Sequence, residues 1–307
     1  MKVLVTGAGG FIGSHVTEAL LSRGHEVHAV VRTDGPKRLC VDKSASFDWL
    51  TIDLDDVRAT REAITKVQPQ AAVHLAWYAK PGQYWTAPEN LECVKTTLSL
   101  AQILAEAGCP RLIAAGSCAE YDWDYGFCSE DCTPLRPATL YGTCKDATRR
   151  LLEAFCAEKS ISFAWTRFFH LYGPREAPGR LVSSITTSLL RGSIAKCTDG
   201  EQRRDFLHVA DAAAAVCAVL EADVLGPVNI ASGVPVRVCE IAETLARILG
   251  AEKSLEIGGL LGMASEPPLL LADVRRLRRE TAWQPKWSLE SGLENSVTWW
   301  RHMEANS

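Results

Sequence analysis

No apolar run in this 307-residue chain approaches the roughly 18 residues that cross a bilayer, so no membrane partner is expected. Charge of one sign is lacking too: 33 Lys+Arg stand against 37 Asp+Glu, a formal net charge of −4. Without a basic stripe, nucleic acid is not an expected partner either. There is no internal repeat and no low-complexity linker, which sets aside solenoids and tethered modules. Metal-ligand spacing is missing: the close pair Cys128 and Cys132 has no His or further Cys beside it. A loop or a reversible disulfide is favoured there, and no metal site is expected. No charged leader with an apolar core and cleavage site precedes the first apolar run at residues 2–6, so a cytoplasmic protein is expected.

Cysteine, by contrast, is plentiful at 11. In a short secreted chain that count reads as a disulfide framework. Here the cysteines are scattered through apolar patterns such as Ala215-Val216-Cys217-Ala218-Val219, and they are read as free core thiols in a reducing compartment. With 47% hydrophobic and 23% charged residues the composition is that of an ordinary globular protein.

The first 170 residues alternate short β-branched runs (2–6, 26–31, 71–75, 111–115, 162–168) with helical patterns (12–23, 55–67, 91–107, 139–158). Such alternation predicts βαβ units, hence an α/β fold with a Rossmann-type doubly wound parallel sheet. Gly24 and Gly108 fall where the first and third helices should end. Beyond Pro174 the regularity weakens, with helices expected at 181–191, 209–221 and 238–249, a strand at 227–230 and a loop over 257–263. The organisation expected is a cofactor-binding core over 1–172, with 205–232 returning to it. Residues 173–204 and 233–307 would form a small α/β cap for substrate.

Directly after the first strand comes Thr6-Gly7-Ala8-Gly9-Gly10-Phe11-Ile12-Gly13, opening the first helix. Gly7 suits the tight turn, Gly10 lets the backbone approach a pyrophosphate, and Gly13 lets helix and strand pack closely. Gly7, Gly10, Phe11, Ile12 and Gly13 would cradle the diphosphate of a dinucleotide at the positive helix end. An acidic residue at the end of the second strand would bind the adenosine ribose of NAD, but Arg32 stands there. A guanidinium suits a 2′-phosphate, as do nearby Lys37 and Arg38, despite Asp34, so NADP(H) is favoured over NAD(H).

Tyr141 and Lys145 lie one helical turn apart, with Ser117 upstream at the end of the fourth strand pattern. An unperturbed phenol pKa of about 10 is poor for proton transfer at neutral pH. An ammonium at about 6 Å contributes ~3 kcal/mol at an effective dielectric near 20, roughly two pKa units, enough to make Tyr141 a usable acid or base.

With these motifs the sequence resembles the extended short-chain dehydrogenase/reductase family of nucleotide-sugar epimerases, dehydratases and 4-ketoreductases. The resemblance covers nearly the whole chain. It also rests on Ile52-Asp53-Leu54, His74-Leu75-Ala76, Arg167-Phe-Phe-His-Leu-Tyr-Gly-Pro174, Arg204-Asp-Phe-Leu-His-Val-Ala-Asp211 and Trp283-Gln-Pro-Lys-Trp287. It implies that Asp53 and Leu54 contact adenine, Leu75 and Ala76 line the cofactor groove, and Phe168 packs by the nicotinamide. It also implies that Lys145 holds the nicotinamide ribose and that Arg204 grips a substrate diphosphate. A homodimer through the helices at 91–107 and 141–158 follows by the same analogy.

The departures narrow the activity. The family's dehydratases carry Thr-Asp-Glu starting at the Ser117 position, whereas this chain has Cys118 and Ala119 in the next two places. His170 replaces a family Asn, an Asn near Cys93 is missing, and residues 262–266 lack the diphosphate-binding Arg of many relatives. The expected activity is NADPH-dependent reduction of the 4-keto group of a nucleotide-diphospho-4-keto-6-deoxysugar. Ser117, Tyr141 and Lys145 would be catalytic, and Cys118, His170 and Arg204 would face the substrate. The alternatives are a 4-epimerase that retains its NAD(P) and a non-catalytic NADP-sensing protein.

Overall fold

The computed structural model describes residues 1–32, 46–222, 224–261 and 266–305. Asp34, Lys37, Arg38 and Cys40 lie outside the described residues, as do 262–265. The first half of the chain carries strands β1 (Lys2–Thr6), β2 (Glu26–Val31), β3 (Phe47–Thr51), β4 (Ala71–His74), β5 (Arg111–Ser117) and β6 (Phe127–Cys128). Its helices are α1 (Phe11–Ser22), α2 (Val57–Val67), α3 (Glu89–Glu106) and α4 (Leu140–Glu158). Strands β7 (Ser162–Phe168), β8 (His170–Tyr172), β9 (Ala195–Cys197) and β10 (Arg203–His208) follow, with α5 (Leu181–Leu190) and α6 (Val209–Glu221). The chain continues with β11 (Gly226–Ile230), β12 (Pro235–Arg237), β13 (Leu255–Ile257) and β14 (Leu269–Ala272). Its last helices are α7 (Val238–Leu249), α8 (Arg275–Thr281) and α9 (Leu289–Ala305).

Seven strands form one sheet in the order β11-β7-β5-β4-β1-β2-β3, every neighbouring pair parallel. Alternation along β1 shows why both faces must be covered. Val3 and Val5 pack with Val16 and Leu20 of α1 and with α6, while Leu4 packs with Ile64 of α2, Leu104 of α3 and Leu152 of α4. A strand apolar on both sides is stable only between two helical layers, and that is the doubly wound arrangement expected. The helices expected at 209–221 and 238–249 are observed with those bounds as α6 and α7. Gly24 and Gly108 follow α1 and α3 at positive φ, as expected of helix ends.

A second sheet runs β12-β10-β14-β6, with β8 alongside β10, and β9 pairs separately with β13. Helices α5, α7 and α9 bury Ile185, Leu245 and Val297 in one cluster with Tyr172 of β8. Strands β6, β8 and β10 thus sit in the second sheet, although chain order assigns β6, β8 and most of β10 to the cofactor core. Within 205–232 it is α6 and β11 that join the first sheet and its layer.

Two carboxylates tie the halves together. Asp205 of β10 accepts the N–H groups of Ser232, Gly233 and Ala272 and the Ser232 hydroxyl. Asp211, in the first turn of α6, accepts the Lys286 N–H at 2.9 Å and the Trp287 N–H at 3.0 Å. The Asp of one sequence motif therefore holds the terminal Trp283–Trp287 segment of another. All ten cysteines among the described residues are free, and Cys132 is exposed while Cys128 is buried. No described helix is long and apolar enough to cross a membrane.

Candidate active site

Register brings the candidate residues to one edge. Thr6 aligns with His74, His74 with Ala114, and Ser117 with Phe168, so the segments after β1, β4, β5 and β7 open on the same end of the parallel sheet. Ligands of doubly wound sheets bind at that end.

The glycine turn is built as its spacing predicts. Gly7 has φ +68°, and a Cβ there would stand 2.8 Å from the Ala76 nitrogen. A Cβ on Gly13 would collide with the Gly7 carbonyl, so α1 packs this closely only with glycine at both places. Helix α1 starts after Gly10 with no side-chain cap and no acidic residue in its first turn. The N–H groups of Phe11, Ile12 and Gly13 have no acceptor within the helix, and they sit at its positive end. That cradle fits an anionic diphosphate. Beyond it, Leu75 packs on the core beneath α1, Leu54 on the core under α2–α4, and Phe168 is buried beside Val5 and Leu207. Asp53 is exposed, and its carboxylate accepts the Asp55 N–H. Arg32 is exposed directly after β2.

Ser117 ends β5 and caps the short 3-10 turn Cys118–Glu120, where its hydroxyl accepts the Ala119 N–H at 3.2 Å. Its own N–H donates to Glu120 at 2.7 Å. Glu120 has no solvent contact and also accepts from Trp165 Nε1 and from Arg167 Nε, the latter at 2.7 Å. Arg167 in turn donates to the Tyr121 phenol, and that phenol donates to Asn229. Ser117 is therefore positioned by a buried network reaching across β5, β7 and β11.

Tyr141, in the first turn of α4, lies within hydrogen-bonding reach of the Ser117 side chain. Its ring meets Tyr84 edge to face at 4.9 Å, Trp85 at 5.8 Å and Trp77 at 6.4 Å. Burial raises its pKa well above the ordinary phenol range, the Ser117 contact opposes this, and Tyr84, Cys118 and Glu120 add to the rise. The lowered phenol expected from the Tyr–Lys spacing is not what the free protein shows. The reason is burial, which outweighs the ammonium although Lys145 Nζ stands 5.9 Å from the centroid of the Tyr141 ring. Lys145 Nζ donates to the Ala115 carbonyl at 2.7 Å and stands 3.6 Å from the centroid of the Trp77 ring. Burial pulls the Lys145 pKa down to about 7, against the opposing pull of Glu120 and Cys93.

Of the substrate-facing candidates, His170 and Arg204 lie on β8 and β10 of the second sheet, whereas Cys118 directly follows Ser117 of β5. Cys118 is buried, and burial raises its thiol pKa, which keeps it protonated and unfit as a nucleophile. Arg204 is buried and pairs with Glu266 at 2.9 Å. Across the β8–β10 ladder His170 aligns with Phe206; burial, followed by Arg204 and Arg180, pushes its pKa down to about 3. Where an Asn is missing near Cys93, the Cys93 sulfur accepts the Tyr78 N–H.

Sequence reasoning missed Trp77, Tyr84 and Glu120. A signal for the first two was available: four aromatics, Trp77, Tyr78, Tyr84 and Trp85, crowd the segment between β4 and α3. Glu120 carried none, because its role depends on partners 45 and 47 residues away.

A parallel dinucleotide fold with Ser, Tyr and Lys at the cradle's mouth defines the class of nicotinamide-dependent short-chain dehydrogenase/reductases. Residues 3–231 match the NAD dependent epimerase/dehydratase family. The chain belongs to that family, a group of extended short-chain dehydrogenase/reductase enzymes. Over 99% of this chain and 100% of its own, the structure of MoeE5 in complex with UDP-glucose and NAD is 32% identical, with a TM-score of 0.86. A UDP-glucose 4-epimerase of Thermus thermophilus, in complex with NAD, is 26% identical over 98% of this chain and 99% of its own, with a TM-score of 0.87. The uncharacterized UDP-glucose epimerase YtcB of Bacillus subtilis (strain 168) is 28% identical over 97% of this chain and 98% of its own length.

Proposed function

We propose that the protein is an NAD-dependent UDP-sugar 4-epimerase that keeps its cofactor throughout the cycle. This replaces the ketoreductase and NADP readings, since the relatives named above are epimerases or were solved with NAD and a UDP-sugar. The observation that carries it is the Ser117–Tyr141 contact beside an uncapped helix N-terminus, with Cys118 and Ala119 unable to act as a dehydratase's acid and base.

In this reading the cradle at Gly7, Gly10, Phe11, Ile12 and Gly13 holds the cofactor diphosphate. Asp53 and Leu54 take the adenosine end, Leu75, Ala76 and Phe168 line the groove, and Lys145 moves from Trp77 to the nicotinamide ribose. When bound, the oxidised nicotinamide supplies a hydride acceptor and a positive charge beside Tyr141. Tyr141 Oη removes the proton of the sugar 4-hydroxyl and returns it at the end of the cycle, so nothing is consumed. Ser117 Oγ donates to the same sugar oxygen while it is a carbonyl. Arg204 exchanges Glu266 for the substrate diphosphate, with Cys118 and His170 facing the sugar. The first sheet and its helices form the cofactor half, and the second sheet with α5, α7 and α9 forms the substrate half. The exposed Leu91 of α3 and Leu151 of α4 support a homodimer through these helices.

The test is incubation of the purified enzyme with UDP-glucose and with UDP-glucuronic acid, without added nicotinamide. The expected result is the C4 epimer, no net change in reduced-nicotinamide absorbance, and NAD released on denaturation. Tyr141→Phe should slow conversion at least about a hundredfold while NAD stays bound. Stoichiometric NADPH oxidation by a 4-keto-6-deoxysugar, with no epimer formed, would sink the proposal.

A further inference from the structure

The indole of Trp77 stands against both ionisable side chains of the proposed proton-transfer site. Lys145 Nζ lies over it, 3.6 Å from the ring centroid, and its ring meets Tyr141 edge to face at 6.4 Å. The ring is fixed by Asn90, at the start of α3, which has no solvent exposure. Asn90 Nδ2 donates to the Tyr84 carbonyl at 2.7 Å and to the Ala87 carbonyl at 2.8 Å. With both amide hydrogens so placed, Oδ1 is left to face the indole, and it accepts Trp77 Nε1–H at 2.9 Å. The face that Trp77 turns to Lys145 is therefore set by the fold.

Lys145 is buried, and besides the indole it has the Ala115 carbonyl at 2.7 Å. The carboxylate that acts on it, Glu120, already accepts from the Ser117 N–H, Trp165 Nε1 and Arg167 Nε. The other titratable groups around it are Tyr141 on its own helix, Cys93 on α3 and His74 on β4. Burial pushes Tyr141 and Cys93 above their ordinary values and His74 down to about 3, so all three are neutral near pH ~7. Lys145, brought down to about 7, is the one of these four that changes charge there. A desolvated aromatic face favours its charged form. Unlike a carboxylate, that face holds the ammonium without neutralising it, so an oxygen ligand can still draw it away.

We propose that Trp77 is a positioning residue for Lys145, a holding site from which the incoming nicotinamide cofactor must draw the ammonium. Cofactor loading is then a competition between the indole face and the nicotinamide ribose, and Trp77 weakens the hold on NAD. The proposal rests on the cofactor reading above, in which Lys145 moves from Trp77 to that ribose. The contact counts only while Lys145 is charged, so Trp77 opposes NAD below a pH of about 7 and ceases to do so above it.

Two measurements on the cofactor-stripped full chain test this without turnover, each at pH ~6 and pH ~9. In calorimetric titration, Trp77→Leu should bind NAD about tenfold more tightly than the parent at pH ~6 and within about twofold of it at pH ~9. Trp77→Phe keeps a weaker aromatic face; it should fall between them, and it carries the test if the leucine variant does not fold. In thermal unfolding without NAD, the same Trp77 substitution should lower Tm more in the parent than in Lys145→Met at pH ~6, and equally in both at pH ~9. A purely structural tryptophan would show neither the pH dependence nor the dependence on Lys145. Unchanged or weaker NAD binding at pH ~6, a shift of the same size at both pH values, or equal Tm losses in the two backgrounds at pH ~6 overturns the holding site while the epimerase reading stands. A parent that binds no NAD at either pH overturns the cofactor reading and the holding site with it.

Discussion

Lys145 is a buried cation held by a carbonyl dipole and an indole face rather than by a direct carboxylate partner. Its stability cost follows from the sign of its shift. The folded pKa, about 7, lies below the roughly 10.4 of an exposed lysine. Between those values the unfolded chain binds more protons, so this group's contribution to stability rises with pH. Below about 7 the ammonium is charged in both states and its full desolvation cost is present. Lys145→Met has no ammonium to desolvate, apart from a pH-independent offset for the lost hydrogen bond. Its Tm advantage over the cofactor-free parent should therefore be largest at pH ~6 and shrink steadily towards pH ~10. Thermal unfolding at several pH values checks it; a gap that stays constant or widens with pH would contradict the buried-cation account.

Among elements, the junction of β5 with β7 depends on Glu120 and Arg167, whose side chains are 0% and 1% exposed. Removing one charge strands the other in a low-dielectric interior. Glu120→Gln should cost about 3–5 kcal/mol in urea unfolding, whereas Glu120→Leu with Arg167→Met should cost less than either single change. Additive single losses would show that the pair is not the coupled unit described. The same junction marks where sequence reading stops. Strands such as β1 and helices such as α6 and α7 were legible because each buries a whole face at its natural period. Strand β3 was not, since Phe47–Thr51 at the sheet edge is only partly buried and its signal is weak. Three-residue strands such as β8, β9, β12 and β13 are too short to show a period. Helix α9 hides its buried stripe because Gly292 and Ser296 share it with Leu293, Val297 and Trp300. Ser117, Tyr141 and Lys145 were legible as a motif. The destination of the Lys145 ammonium was not, because Trp77 lies far away in the chain.

For the molecule as a whole, the question is whether two sheets unfold as one body. The cluster Cys118, Cys128, Phe169, Ala231 and Leu270 draws on both halves beneath the site. Asp211 adds a polar latch: it accepts the Lys286 and Trp287 N–H groups, Trp283 Nε1 donates to its carbonyl, and Trp287 stacks 4.5 Å from His208. The segment so held connects α8, on the first sheet's layer, to α9, in the second half. Asp211→Ala leaves two partly buried N–H groups without their carboxylate. The variant should lose about 2–4 kcal/mol, since hydrogen bonds to charged groups contribute about 1.5–3 kcal/mol each and partly overlap here. If the halves are one cooperative unit, tryptophan fluorescence and far-UV circular dichroism should report the same midpoint for parent and variant, both shifted to lower urea by the substitution. Separate midpoints in the parent would mean that the halves unfold independently. Separate midpoints in Asp211→Ala alone would instead identify this carboxylate as the contact that couples them.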